Sequence, residues 1–203
     1  MKVIFLDCDG VLNYTKYYVT DIDSDSFNED YADIDPKCVK RVLNICKETG
    51  AKIVISSDWR ISWPGTKNRL ERAGFPDGLI VDKTPEFMWR RFNKYSSNLD
   101  NSRGAEIEEW LNQHPECTNY VILDDREDFN EDELPHYVKV DPMYGLTDGH
   151  VKIAINILKH HRKLFREEQI NVPLFAFLIE KLYICRWIEE LNKVFLYDRI
   201  ETY

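Results

Sequence analysis

The chain has 203 residues, of which 43% are hydrophobic and 31% are charged, a composition typical of a globular protein that buries a core. The formal net charge of -9 argues against binding of nucleic acid or anionic membranes by the whole surface, although it leaves room for a local basic patch. The longest apolar run, residues 172–179, is too short to span a bilayer.

Cysteine usage indicates a reducing compartment. The five cysteines are Cys8, Cys38, Cys46, Cys117 and Cys185. Their number is odd and no C-x-x-C spacing occurs, so we expect free thiols and neither a disulfide framework nor a zinc site. The N-terminus runs directly into a strand-like stretch without a cleavable signal. We therefore expect a cytoplasmic protein.

The first elements of the chain are two buried strands with a helix between them. Residues 3–6 form a short apolar run that stops at Asp7, which is typical of a strand buried on both faces. The Asp-Pro pair at 35–36 predicts a helix start, and Gly50 predicts its end. Residues 52–55 predict the second strand.

The rest of the chain continues the alternation of strands and helices. The predicted elements are, in order, a short helix over 68–73, a weak strand over 79–81, a helix capped by Ser102, strands over 120–123 and 137–140, and a helix capped by Thr147. This order predicts an α/β fold, a Rossmann-like parallel sheet with helices on both faces. Ligands of such sheets bind beyond the carboxyl ends of the strands.

Polar residues follow three of these strands at the point where each strand ends. They are Asp7 and Asp9, Ser56 and Ser57, and Asp124 and Asp125. Four carboxylates packed together would repel one another without a cation, and hard divalent cations prefer oxygen ligands. The pattern therefore predicts a metal site made by the four aspartates. The alternative is a set of solvated loop ends.

The same residues resemble the four signatures of the haloacid dehalogenase-like (HAD) hydrolase superfamily. D-C-D-G at 7–10 resembles the first signature, Ser56 the second, and Asp124-Asp125 the acidic fourth. Arg103, which opens a predicted helix before the fourth strand, takes the place of the third, usually a Lys. The order and spacing agree over residues 1–162.

A narrower resemblance is carried by the strings S-S-D-W-R, R-G-A-E-I-E-E-W-L, I-L-D-D and G-L-T. They resemble the phosphatase-like domain linked to Swiss Army Knife RNA-repair proteins. The resemblance implies a HAD-like core over residues 1–163 with little or no cap, and a Mg²⁺-dependent phosphatase that hydrolyses phosphomonoesters. The implied substrates are phosphorylated and include nucleotides and polynucleotide ends.

The resemblance also implies a role for each aspartate. Asp7 would attack phosphorus and form an aspartyl-phosphate. Asp9 would protonate the leaving oxygen and then activate water. Mg²⁺ would bind the Asp7 carboxylate, the Asp9 backbone carbonyl and a carboxylate of the Asp124-Asp125 pair, with Asp125 favoured as the direct ligand.

The remaining candidate residues each have a structural alternative. Ser56 would bind a phosphoryl oxygen or only cap the following turn. Arg103 would offer a fixed positive charge with bidentate geometry, or be a surface charge near a helix start. Asp128 is either a support for the site or solvated. We interpret Cys8 as buried packing, because its side chain should point away from those of its two neighbouring aspartates.

Charge and aromatic patterning bear on the substrate. Residues 60–103 hold nine Lys or Arg against five Asp or Glu, and aromatic and basic residues interleave over 89–95. Such interleaving is typical of single-stranded nucleic-acid binding and equally of an amphipathic helix with a packed aromatic face. The candidate substrate contacts are Ser57, Arg60, Arg90 and Arg91. The acidic stretch 13–34 predicts a flap, too short for a folded cap.

Residues 164–203 lie outside the resemblance and predict a helical C-terminal extension. Its apolar residues recur at helical spacing, so the extension either packs back on the domain or forms an interface, such as a homodimer through the C-terminal helix. The sequence alone leaves both alternatives open.

Two other functions are compatible with parts of the pattern. A phospho-accepting receiver domain would need its acceptor after a middle strand, where Asp58 is the only candidate, and a Lys after a late strand, whereas Lys139 lies inside one. A catalytically inactive HAD-fold binding or scaffold protein is the other alternative. The joint presence of five residues argues against it: Asp7, Asp9, Ser56, Arg103 and Asp125.

Overall fold

A computed structural model gives the structure of the chain and describes residues 1–20, 33–87 and 102–160. In these ranges, five parallel strands form one sheet in the order β3-β2-β1-β4-β5. The strands are β1 (Lys2–Leu6), β2 (Lys52–Ile55), β3 (Ile80–Lys83), β4 (Asn119–Asp124) and β5 (Tyr137–Lys139). The predicted α/β, Rossmann-like parallel sheet is confirmed.

Helices connect the strands. They are α1 (Thr15–Thr20), α2 (Pro36–Thr49), α3 (Gly65–Arg72), α4 (Arg103–Gln113) and α5 (Asp148–His160), with 3-10 turns over Asp58–Ser62 and Leu134–His136. The sequence predicted α2, α4, α5 and most of α3. It did not predict α1 or either 3-10 turn.

Side-chain caps fix the starts of the three long helices as the sequence predicted. The Asp35 carboxylate accepts the Lys37 N–H at 2.7 Å at the start of α2. Ser102 Oγ accepts the Ala105 N–H at 3.1 Å at the start of α4. Thr147 Oγ1 accepts the His150 N–H at 3.4 Å before α5. Each cap satisfies a backbone donor that has no partner inside the helix.

The core has two layers, one on each face of the sheet. Ile4 and Leu6 of β1 belong to the larger layer, which includes residues of α2 and α5. Val3 and Phe5 belong to the smaller layer, together with Ile107 and other residues of α4. Because strand side chains alternate between faces, one strand supplies both layers. Helices therefore cover both faces, as predicted.

The register of the central strands brings their carboxyl ends to one level. Leu6 is paired with Ile55 of β2 on one side and with Leu123 of β4 on the other. The residue after each of these three positions therefore lies at the same level, where its strand ends. These residues are Asp7, Ser56 and Asp124, and backbone bonds from Asp7 N–H to Leu123 O (3.0 Å) and from Ser56 N–H to Leu6 O (3.1 Å) hold them there.

Several predictions lie outside the described residues. They concern Arg90 and Arg91, residues 21–32 of the flap, and the C-terminal extension over 164–203 with its homodimer interface. The domain boundaries therefore stay a prediction. Of the helices in the described ranges, none has the length and apolar character needed to cross a membrane. The cysteines of these ranges are free thiols, as expected.

Candidate active site

Three carboxylates meet where β1 and β4 end. One oxygen from each of Asp7, Asp124 and Asp125 lies within 4.8 Å of the others, with Asp7 and Asp124 buried and Asp125 half-buried. Burial, and then the charge of Asp7, raise the pKa of Asp124 to about 7 and also raise the pKa of Asp125. The cluster thus concentrates more negative charge than a protein interior tolerates, which fits a hard divalent cation with oxygen ligands.

The two members of the acidic pair both contribute to this cluster. The preference for Asp125 as the direct metal ligand therefore stays a prediction. The Asp9 carboxylate is not part of this cluster, and its two oxygens accept hydrogen bonds from Asn13 and Trp59. The metal contact predicted for Asp9 was through its backbone carbonyl, and it also stays a prediction.

Arg103 supplies a positive charge inside the cluster. As the first residue of α4 it is only 3% exposed, and its Nη1 lies 3.0 Å from Asp7 Oδ1 and 3.1 Å from Asp124 Oδ2. Burial alone would lower the pKa of Arg103, but the charges of Asp7, Asp124 and Asp58 together outweigh it and raise that pKa. Arg103 is therefore charged and is not a surface residue.

The start of α4 is held by Asp128. The Arg103 N–H donates to Asp128 Oδ2 at 3.1 Å and the Gly104 N–H donates to the Asp128 carbonyl at 3.0 Å. Arg126 in turn donates to both carboxylate oxygens of Asp128, at 3.0 and 2.8 Å. Of the two alternatives predicted for Asp128, the structure favours the support of the site. No pattern in the sequence singled out Arg126.

The loop after β1 passes so close to Asp125 that it needs glycine at position 10. Gly10 has φ +75°, and a Cβ there would lie 2.5 Å from Asp125 Oδ2. A side chain would strain the backbone and displace the Asp125 carboxylate. The glycine of the first signature therefore makes room for the acidic pair of the fourth.

Ser56 and Ser57 have different environments although they are neighbours. Ser56 Oγ is buried and, within the described part of the chain, has no hydrogen-bond partner. Such a hydroxyl costs about 1–3 kcal/mol, so a bound oxyanion that accepts its proton would remove that cost. Ser57 Oγ instead accepts the Trp59 N–H at 3.3 Å and caps the 3-10 turn. This bond uses Ser57 Oγ only as an acceptor, so the predicted substrate contact of Ser57 stays a prediction.

Arg60 is a correction to the predicted substrate contacts. Its side chain is only 1% exposed, and its Nη1 donates to the Ser56 and Ser57 carbonyls at 2.7 and 2.8 Å. Its Nη2 donates to Glu106 Oε2 at 2.5 Å. Both Nη atoms of the buried guanidinium donate to interior acceptors, so the side chain presents no surface to a substrate and holds the turn that follows Ser56 and Ser57.

Cys8 fits the interpretation as buried packing. It is fully buried, and burial, reinforced by the charge of Asp7, raises its pKa well above the usual range. A thiol in that state is a poor nucleophile. Asp7 is therefore the candidate nucleophile of this loop.

Two residues that the sequence analysis did not consider bind Asp9. Asn13 Nδ2 donates to Asp9 Oδ1 at 2.8 Å and Trp59 Nε1 donates to Asp9 Oδ2 at 2.9 Å. Trp59 lies in the S-S-D-W-R string that was noted only as a resemblance. Nothing in the sequence marked Asn13 as a site residue except its position three residues after Gly10.

The order of these groups along the sheet, with the Asp7–Gly10 loop after the central strand, is that of the HAD-like hydrolases. In a comparison with family models, residues 3–151 match the family described as HAD domain in Swiss Army Knife RNA repair proteins. The chain belongs to this family. Neither the comparison with curated proteins nor the comparison with solved structures gave a match.

Proposed function

We propose that this chain is a Mg²⁺-dependent phosphatase that hydrolyses phosphomonoesters through an aspartyl-phosphate on Asp7. One observation carries the proposal. The buried Asp7 carboxylate lies against the Arg103 guanidinium at 3.0 Å and within 4.8 Å of the oxygens of Asp124 and Asp125. This juxtaposition gives a nucleophile, a fixed positive charge and a set of metal ligands in one place.

In the first step, an Asp7 oxygen attacks phosphorus and the bond from phosphorus to the leaving oxygen breaks. Asp9 gives its proton to that oxygen, so the product leaves as an alcohol. The Ser56 hydroxyl and the Arg103 guanidinium bind the phosphoryl oxygens, on which negative charge persists throughout the transfer.

In the second step, Asp9 takes a proton from a water molecule, which attacks the same phosphorus. The bond from phosphorus to Asp7 breaks, and inorganic phosphate and the free carboxylate result. The carboxylates of Asp7, Asp124 and Asp125 and the carbonyl of Asp9 would hold Mg²⁺. When bound, the ion neutralises charge on the transferring phosphoryl group.

The substrates that we propose are nucleotides or the phosphorylated ends of oligonucleotides. The support is the description of the family, which names RNA-repair proteins, together with the basic residues of the stretch 60–103. Contacts of Arg90 and Arg91 with such a substrate remain a prediction. The free thiols of the described part favour a reducing compartment, so we also propose that the protein is cytoplasmic.

The test compares two neighbouring substitutions in one assay. With Mg²⁺, the wild-type chain should release phosphate from an aryl phosphate and from 3′- or 5′-phosphorylated oligonucleotides, and EDTA should stop the reaction. Asp7→Asn should abolish turnover, whereas Cys8→Ser, a similar change at a buried site, should retain it. Equal activity in Asp7→Asn and the wild type would overturn the proposal. A binding or scaffold protein of this fold would show no turnover in any variant.

A further inference from the structure

Asp9 is exposed, yet both of its carboxylate oxygens are held by side chains from different parts of the chain. Asn13 Nδ2 donates to Oδ1 at 2.8 Å, and Trp59 Nε1 donates to Oδ2 at 2.9 Å. Asn13 follows in the same loop, whereas Trp59 comes from the 3-10 turn after β2. An exposed aspartate normally turns freely in water, so two donors on one carboxylate indicate that its orientation matters.

Both donors are chemically unable to accept a proton from Asp9. An indole N–H only donates. The amide of Asn13 is fixed by a second bond, because its Oδ1 accepts the Gly10 N–H at 3.1 Å. The amide nitrogen must therefore face Asp9. When Asp9 is protonated, its proton must lie on a lone pair turned away from Asn13 and Trp59.

The two donors are themselves held in place. Asn13 is only 3% exposed. The Trp59 ring lies under the guanidinium of Arg69, whose central carbon is 4.0 Å from the ring centre, and Arg69 Nη2 is paired with Asp33 Oδ1 at 2.5 Å. Stacking of this kind contributes about 0.5–2 kcal/mol. The position of the Trp59 N–H is thus fixed by its surroundings.

We propose that Trp59 and Asn13 are positioning residues that aim the acid proton of Asp9 at the leaving oxygen. This inference depends on the proposed function, in which Asp9 donates that proton as the bond from phosphorus to the leaving oxygen breaks. A carboxyl group held by two donors presents its remaining lone pairs in one direction. Loss of either donor lets the group rotate and lowers the fraction of encounters in which the proton is delivered.

The test is the dependence of kcat/KM on the leaving group. Trp59→Phe removes the N–H and keeps a ring under Arg69. A nitrophenyl ester departs without a proton, so its kcat/KM should change less than about twofold, whereas an alkyl phosphate should lose about tenfold or more. Asn13→Ala, which removes the donor to Asp9 together with the acceptor for the Gly10 N–H and adds no charge, should steepen the dependence in the same way.

The matched control is Trp63→Phe, because Trp63 lies just after the same turn and packs against the core. This variant should leave kcat/KM unchanged for both the nitrophenyl ester and the alkyl phosphate. In an Asp9→Asn background, Trp59→Phe should have no further effect on the alkyl ester, since it acts only through Asp9. Melting temperatures report whether each variant is folded.

Two results would overturn the positioning role. One is an equal loss with good and poor leaving groups, and the other is an additive loss in the Asp9→Asn background. Either result would leave the proposed phosphatase intact as long as Asp7→Asn is inactive. An active Asp7→Asn would instead remove the proposed function on which this inference depends.

Discussion

Arg103 offsets part of the negative charge of the cluster and contacts carboxylates through both arms of its guanidinium. Nη1 lies within 3.1 Å of Asp7 and Asp124, while Nη2 is 3.6 Å from Asp58 Oδ1. A planar fork can serve separate carboxylates at once, whereas a lysine ammonium is a point charge. The departure from the usual Lys of the third signature therefore brings Asp58 into the same ion-pair network.

Ser56 offers a test in which stability and activity change in opposite directions. Ser56→Ala removes a buried hydroxyl that has no partner in the described part of the chain, so we expect the melting temperature to hold or rise. The same change should lower kcat/KM about a hundredfold, because a donor to the phosphoryl group is lost. Thermal melts and steady-state kinetics measure the two effects.

The control for this pair of measurements is the neighbouring Ser57→Ala. It removes the cap on the Trp59 N–H and should cost about 1 kcal/mol of stability, with a smaller effect on kcat/KM. If Ser56→Ala were destabilised and fully active, its hydroxyl would have no part in phosphate binding.

A comparison of alanine substitutions at Gly10 and Gly50 distinguishes the cost of backbone strain from the effect of crowding at the site. Their φ values are +75° and +71°, but a Cβ at Gly50 would meet no atom within 4 Å, whereas one at Gly10 would collide with Asp125. Both Ala variants should lose about 1 kcal/mol from the left-handed backbone. Gly10→Ala alone should also weaken Mg²⁺ binding, measured by calorimetry. Equal Mg²⁺ affinity in the two variants would show that Asp125 is not displaced.

Among the elements, the 3-10 turn over Asp58–Ser62 and the helix α4 are joined by a buried ion pair. Arg60 Nη2 donates to Glu106 Oε2, and Glu106 Oε1 accepts the Phe87 N–H at 3.0 Å. Burial raises the pKa of Glu106, although the Phe87 N–H and the charge of Arg60 act to lower it. This pair connects the turn that carries the serines to the helix that begins with Arg103.

Breaking the pair from one side should be costly. Arg60→Met leaves the Glu106 carboxylate buried without its cation and should lower the free energy of unfolding by about 3–5 kcal/mol. Adding Glu106→Gln should recover part of that loss, because the uncompensated charge is removed. Denaturant unfolding of the two single variants and the double variant measures the coupling. Strictly additive losses would mean that the two side chains are not coupled.

The elements that the sequence predicted were those with local signals. Apolar runs located β1 and β2, and cap residues located the ends of α2. α1 gave no signal because none of its six residues is buried. The contacts of Arg60 with Glu106 and of Trp59 with Asp9 join residues 46 and 50 positions apart, and spacing along one sequence does not reveal such pairs.

The site was predicted where strand ends determine position, and less well in the turn that follows β2. Asp7 and Ser56 follow their strands and Asp124 ends its strand, all in register, so their proximity came from the sheet alone. Arg60 was assigned to the substrate because an Arg beside a site has the same sequence signal whether it faces outward or inward. Only the course of the turn shows that its guanidinium is used internally.

For the whole molecule, we expect the cluster to make the free energy of unfolding depend on pH and, if the proposed site is right, on Mg²⁺. The pKa of Asp124 is about 7 in the metal-free fold, against an ordinary value of 3.8. Between these values the native state binds more protons than the unfolded state, so this group's contribution to the free energy of unfolding falls as pH rises. In the proposed site, Mg²⁺ would bind the ionised carboxylates, so its stabilisation should grow over the same window.

Melting temperatures from pH 5 to 8, in EDTA and in Mg²⁺, check this expectation. The side chain introduced by Asp124→Asn cannot titrate. In EDTA, the melting temperature of the wild type should therefore fall relative to that of this variant as pH rises. A difference that stays constant with pH, or a Mg²⁺-induced shift as large at pH 5 as at pH 8, would contradict it.

The central claim is that the phosphoryl group passes through Asp7, and trapping the intermediate tests it most directly. Borohydride added during turnover of an aryl phosphate reduces an aspartyl-phosphate to homoserine, and mass spectrometry of the peptides locates the change. We predict homoserine at position 7 and nowhere else, with none formed when substrate is omitted. Active enzyme that yields no homoserine, or yields it at another aspartate, would contradict the assignment of Asp7 as the nucleophile.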